Sequence, residues 1–177
     1  MSENMAQKKI PKLEELNTSE SMSNSNNINK ITDKIYLGDE EGALDFEFLK
    51  SEQIKNVLSI VNNPPTYPKE LGIIHKVLQL EDKLSLKIIP YFKECIEFIE
   101  NSDKILVHCS CGINRSPTFV IAYLIWKTQC DFSKVYNFVK SRRPCIEPNL
   151  GFIKQLQKFD NLLKKNNYVI NKIVFSL

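Results

Sequence analysis

The chain has 177 residues, which suits one domain with tails, and 42% of them are hydrophobic, enough for a core that folds alone. A net charge of +3, without a clustered basic face, argues against nucleic acid as partner. No apolar run is long enough to span a membrane as a helix, and no secretory signal is expected from the opening residues. Five cysteines, an odd number, then point to free thiols in a reducing compartment, the cytoplasm or nucleus.

Residues 1–29 are rich in Ser, Asn, Glu and Lys and show little apolar periodicity. They are expected to be a disordered tail. The chain opens Met-Ser, so myristoylation is not expected. Strand-like runs follow near residues 34–37, 56–61, 73–78 and 104–107, alternating with helical segments. This alternation predicts an α/β domain over 30–166, with a central, mainly parallel sheet flanked by helices. After the third run comes the loop Leu78-Gln79-Leu80-Glu81-Asp82-Lys83. Ile88, Ile89, Phe92, Ile96 and Ile99 then recur at helical spacing. Thr118 to Trp126 is apolar nearly all round, as in a helix buried in a core. Residues 167–177 form an apolar, β-prone extension.

The most informative stretch is His108-Cys109-Ser110-Cys111-Gly112-Ile113-Asn114-Arg115-Ser116-Pro117, set between a strand and the buried helix. Strand, tight loop and helix N-terminus in that order make an anion site, because loop N–H groups and the helix dipole both favour negative charge. The same groups favour Cys109 as the thiolate, the form that acts as a nucleophile. The planar fork of Arg115 can hold two phosphate oxygens at once. One residue is placed to attack and the other to clamp, and phosphate fits both. Transfer of phosphoryl to sulfur expels an alkoxide or phenoxide, so a carboxylic acid must come from another loop. Glu81 and Asp82 are the candidates, against the plainer reading of two solvated loop carboxylates.

His108, Cys109 and Cys111 lack a fourth partner at any usual metal spacing, so no metal and no other cofactor is expected. Reversible oxidation of Cys109 is conceivable, with Cys111, Cys95, Cys130 or Cys145 as the trapping thiol. A bridge to Cys111, across one residue, would be strained.

The run resembles the signature of the cysteine-dependent phosphatases, His-Cys-x5-Arg-Ser/Thr, and its Arg-Ser-Pro-Thr ending resembles the dual-specificity branch. The resemblance implies a cysteine-phosphatase fold. It implies that Cys109 attacks phosphorus to form a phosphocysteine, while Arg115 and the loop residues Ser110, Cys111, Gly112, Ile113 and Asn114 hold the phosphate. It further implies that Ser116 assists release of the thiolate and that His108 orients the loop. The helix reading Tyr91-Phe92 and Phe98-Ile99 is similar to the family's, which implies Asp82 as the general acid, with Glu81 as fallback. Two positions depart from the usual pattern: Cys111, generally alanine or another residue, and Asn114, often serine.

The likeness extends to Ile35-Tyr36-Leu37-Gly38 and to the Arg142-Arg143-Pro144-Cys145-Ile146-Glu147-Pro148-Asn149-Leu150-Gly151-Phe152 segment. It points toward mitogen-activated-protein-kinase phosphatases and their small atypical relatives. One of Arg142 and Arg143 is expected to be structural, bonding backbone near Asn149. Lys8-Lys9-Ile10-Pro11-Lys12-Leu13 loosely resembles a kinase-docking motif, a pattern that also arises by chance in charged tails. The implied activity is metal-free hydrolysis of phosphotyrosine and phosphoserine or phosphothreonine in protein substrates, a mitogen-activated protein kinase among them. The rivals are the same chemistry on a phosphoinositide, a glucan phosphate or an RNA 5′ end, and a non-catalytic phosphate-binding scaffold.

Overall fold

A computed structural model describes residues 10–16 and 27–172 of the chain. Five strands make one sheet: β1 (Ile28–Lys30), β2 (Ile35–Gly38), β3 (Asn56–Ile60), β4 (Ile74–Leu78) and β5 (Ile105–His108), in spatial order β1-β2-β5-β3-β4. The pairings β2 with β5, β5 with β3 and β3 with β4 are parallel, and β1 with β2 is antiparallel.

Side chains alternate across the central strands. Ile35, Leu37, Leu58, Ile60, Ile105 and Val107 face one core. Tyr36, Val57 and Leu106 face a smaller core on the other side. The smaller core is capped by α1 (Glu40–Ala43) and α2 (Phe46–Ser51), whose first turns are closed by Asp39 and Asp45 accepting from the N–H of Gly42 and Phe48. The larger core packs against α3 (Ile89–Asn101), α4 (Arg115–Thr128), α5 (Phe132–Arg142) and α6 (Leu150–Lys165). α4 is buried from Ser116 through Ile125, which explains why its sequence lacks a polar stripe. No helix among the described residues is long and apolar enough to cross a membrane.

Two features differ from expectation, and a third fills in what the sequence left open. The sheet begins at Ile28, inside the stretch expected to be tail; Ile28 is fully buried, but a three-residue strand carries no readable periodicity. Within that same stretch Leu13–Leu16 forms a 3-10 turn whose two leucines pack on the larger core. This includes the last residue of the docking-like pattern, whose Lys8 and Lys9 lie outside the described residues. Beyond α6 the chain turns back: Tyr168 Oη donates to Gln129 O at 3.2 Å and Ile170 enters the larger core. The remainder of the expected C-terminal extension, residues 173–177, lies outside the described residues.

A chain beginning at Lys30 loses the buried Ile28 side chain and the Asn29 oxygen that accepts from Arg143, whereas one beginning at Asn27 keeps both. Urea unfolding should find the shorter chain less stable by about 3 kcal/mol; equal stability would show that β1 contributes nothing to the fold.

Candidate active site

β5 ends at His108 and α4 begins at Arg115, so residues 109–114 form the turn at the carboxyl ends of the parallel strands. Open α/β sheets bind ligands at that edge. The turn is tethered by its carbonyls. Glu40 N donates to Ser110 O at 3.2 Å and Glu147 N to Ile113 O at 2.7 Å. Arg143 Nε donates to Gly112 O at 3.0 Å. In a trans peptide the N–H points opposite to the C=O. The N–H groups of Cys111, Ile113 and Asn114 therefore point away from these tethers, toward the concave side of the turn, as in an anion nest. Gly112 has φ of 64°, and a Cβ there would meet Arg143 Nη2 at 2.5 Å and Gly38 O at 2.6 Å. Glycine is required by both backbone and space.

Cys109 sits within this turn, 2% exposed. The hydroxyl of Ser116, in the first turn of α4, lies 3.2 Å from Cys109 Sγ and 3.5 Å from Gly38 O, so it can donate to the sulfur. Arg115 donates from Nη1 to Leu80 O at 3.1 Å and from Nη2 to Ser110 Oγ at 3.0 Å. Its Nε is buried and has no partner, a donor left over for a ligand.

Asp82, from the loop after β4, reaches the same turn. Its Oδ1 accepts from Asn114 Nδ2 in a short hydrogen bond and from Asn149 Nδ2 at 3.2 Å. Asn114 Oδ1 in turn accepts from Asn149 N at 3.0 Å. Asn114, one of the two departures from the signature, thus joins the acid loop to the N-cap of α6. Glu81 instead pairs with Lys83 at 2.5 Å. An open cleft of about 400 Å³ lies above the turn, lined by Asp82, Ser110 and Arg115 with Glu40, Asn62 and Lys83 among its other walls. Cys109, nearly fully buried, is not among the residues lining this cleft.

His108 is fully buried, with Nε2 2.6 Å from Ser59 Oγ. Burial lowers its pKa from 6.5 to about 4, against a smaller upward pull from the Cys109 backbone, with the positive charge of Arg115 lowering it further. The imidazole is neutral near pH 7. Cys111 and Cys145 are exposed, Cys130 is half-buried, and burial pushes the Cys95 thiol up. No cluster of potential metal ligands occurs among the described residues.

The expectation for the arginine pair needs correcting. Arg143 is the structural member, but it bonds Gly112 and Asn29, at 2.6 Å to Oδ1, rather than backbone near Asn149. Arg142 stacks over the Phe138 ring at 3.5 Å. Asn29, Ser59 and His75 were missed in sequence, since long-range partners of a buried polar group leave no local pattern. Asn149 had a signal: Pro-Asn before an amphipathic run is an N-cap pattern.

The family model described as dual specificity phosphatase, catalytic domain, matches residues 35–162. The chain belongs to the dual-specificity phosphatase family. It is a protein phosphatase, with the α/β fold and sheet that its solved relatives share. It is 35% identical over 157 residues to dual specificity protein phosphatase 1B of Arabidopsis thaliana, a match covering 86% of this chain and 93% of that one. It is 34% identical over 138 residues to MAP kinase phosphatase with leucine-rich repeats protein 1 of Dictyostelium discoideum, covering 76% of this chain and 16% of that protein. The crystal structure of DUSP15 superposes with a TM-score of 0.75 at 30% identity, covering 86% of this chain and all of that one.

The neutral His108 of this phosphatase makes its stability pH-dependent. Between 6.5 and about 4 the unfolded chain binds the imidazole proton that the folded chain refuses. Stability should therefore fall as pH drops through that window, by about 3 kcal/mol from this residue. Urea unfolding at pH 7 and pH 4.5 checks it: the loss should be smaller in His108→Gln, and an equal loss would assign the effect to other groups.

Proposed function

We propose that this domain hydrolyses phosphotyrosine and phosphoserine or phosphothreonine in proteins through a phosphocysteine on Cys109. The observation that supports it most is the meeting of three groups at one turn: a buried sulfur, an arginine with a spare buried donor, and a carboxylate from a separate loop.

In this reading the Cys109 thiolate attacks phosphorus while the phosphate oxygens take the turn's N–H groups and the Arg115 guanidinium. The P–O bond to the substrate breaks, and Asp82 gives its proton to the leaving oxygen. Water then attacks the phosphocysteine and passes a proton to Asp82. The S–P bond breaks, inorganic phosphate leaves, and Ser116 donates a hydrogen bond to the returning thiolate. Donors held by the fold at the turn would meet the transition-state charge with little reorganisation. Ser110, Cys111, Gly112, Ile113 and Asn114 include no lysine, which favours protein phosphate over a highly charged inositide headgroup. A mitogen-activated protein kinase is proposed among the substrates, on the strength of the kinase-phosphatase relative.

Hydrolysis of a small aryl phosphate in EDTA should persist in the natural chain and vanish in Cys109→Ser. Asp82→Asn should lose about 10²-fold, mostly on the pH limb that needs the acid. Activity surviving in Cys109→Ser would overturn the mechanism. Asn114→Ala should lower kcat about tenfold with KM little changed, because the acid loses one of its two amide donors. An unchanged kcat would mean that Asn114 does not hold Asp82.

A further inference from the structure

The loop that carries Asp82 lies against α6, on groups that the mechanism above does not use. Residues 81–85 are all exposed, so no buried side chain anchors the loop between Leu80 and Leu86. A turn closes its second half, Leu86 N donating to Lys83 O at 3.0 Å. The loop then runs into α3, whose N-cap position is Ile88, a residue with no side-chain acceptor for the free N–H groups of the helix.

The start of α6 supplies what the loop lacks. Gln155 Oε1 accepts from Ile88 N at 2.7 Å and lies 3.4 Å from Ile89 N, so it caps α3 from outside. Its Nε2 donates to Leu86 O at 2.8 Å and to Gly151 O at 3.2 Å. One amide thus bonds the backbone on both sides of Lys87, as a neighbouring strand would. One turn earlier, a Cβ at Gly151 would collide with Leu84 O and come within 2.8 Å of Leu84 C. Gly151 has no positive φ, and alanine forms helix more readily than glycine, so it is the approach of the loop that calls for glycine here. Asn149 Nδ2 reaches Asp82 itself at 3.2 Å. Asn149, Gly151 and Gln155 therefore meet Asp82, Leu84, Leu86 and Ile88 in order, and the loop lies along the first two turns of α6.

We propose that Gly151 and Gln155 are positioning residues for the general acid: the close fit at Gly151 and the amide of Gln155 keep the loop on α6, with the Asp82 carboxylate at the thiol turn. The effect on turnover rests on the reading of Asp82 as the acid; the hold on the loop does not. In Gly151→Ala the new methyl must push Leu84 away from α6, because a backbone carbonyl cannot swing aside as the tip of a side chain can. Asp82, two residues before Leu84, moves with it. In Gln155→Leu, close in size, both bonds to the loop are lost. Either change leaves the residues of the thiol turn themselves untouched.

An acid matters in proportion to the basicity of the oxygen that leaves. With phenyl phosphate, a poor leaving group, kcat/KM should fall about tenfold in Gly151→Ala and in Gln155→Leu. With a dinitrophenyl phosphate, which departs without a proton, kcat/KM should stay within about twofold of the natural chain. In the Asp82→Asn background neither substitution should cost more than about a further twofold on either substrate, since both act through the one carboxylate. Hydrogen exchange read by mass spectrometry should become faster over residues 79–88 in both variants and stay unchanged over α4. Equal losses on the two substrates, a full tenfold loss in the Asp82→Asn background, or unchanged exchange over residues 79–88 each overturns the proposal. Should Gln155→Leu fail to fold, Gly151→Ala, which favours the helix, serves by itself. Absence of hydrolysis in the natural chain, or an Asp82→Asn chain as active as the natural one on phenyl phosphate, would count against the proposed function instead, and the exchange would then decide the hold of α6 on the loop.

Discussion

A guanidinium buried under a turn is the interaction on which the rest of this structure depends. Arg143 is 2% exposed, and its donors reach Gly112 O, Asn29 Oδ1 and, at 3.8 Å, the Asp39 carboxylate. Burying a cation is costly unless hydrogen bonds and opposite charge surround it, and removing one partner of such a group costs several kcal/mol. Here the partners come from β1, the residue capping α1 and the thiol loop, and Arg143 itself closes α5. Because Arg143 pulls on a carbonyl, it turns the following N–H inward. The arginine that never meets the phosphate therefore shapes the surface that would.

The same economy recurs around the loop. Its carbonyls are held from outside by backbone N–H groups at Glu40 and Glu147, and its inner N–H groups are left to a ligand. The loop after β4 is fixed by side-chain amides from Asn114 and Asn149, which hold Asp82 at the turn. Such preorganisation removes the need for solvent and side chains to rearrange as charge develops. It also gives Asn114 a physical reason: its amide carries donor and acceptor on separate atoms, so it donates to the Asp82 carboxylate and accepts from Asn149 N at two points that one hydroxyl oxygen would not span.

Below the loop the logic is that of a buried polar network, in which each member must find a partner or be destabilising. Ser59 joins the Nε2 atoms of two imidazoles through one hydroxyl, at 2.7 and 2.6 Å, while the buried Nδ1 of His108 is left without a partner. Sheet register explains why this is possible. Ser59 and His108 are direct partners, and His75 lies opposite Val57, two residues before Ser59 on the same face. The polar column thus threads a face otherwise filled by Tyr36, Val57 and Leu106.

The sequence by itself determined the elements whose physics is local. Runs such as Ile105–Val107 and the all-apolar α4 are legible because a buried strand and a buried helix each impose a continuous composition. The thiol turn was legible because a cysteine, a glycine and an arginine must fall at set spacing between strand and helix for one anion to meet them all. Asp82 could be narrowed to a two-residue loop but separated from Glu81 only by likeness to a family. What the tertiary structure alone decided is everything that depends on who meets whom across the chain: the three-residue β1, the buried Arg143 bound to Asn29 across 114 residues, the amide bridge from Asn114, and the Ser59 hydroxyl between two histidines. Hydrogen-bond partners of buried polar groups are chosen by distance in space, and a one-dimensional pattern carries that distance only when both partners sit on the same turn.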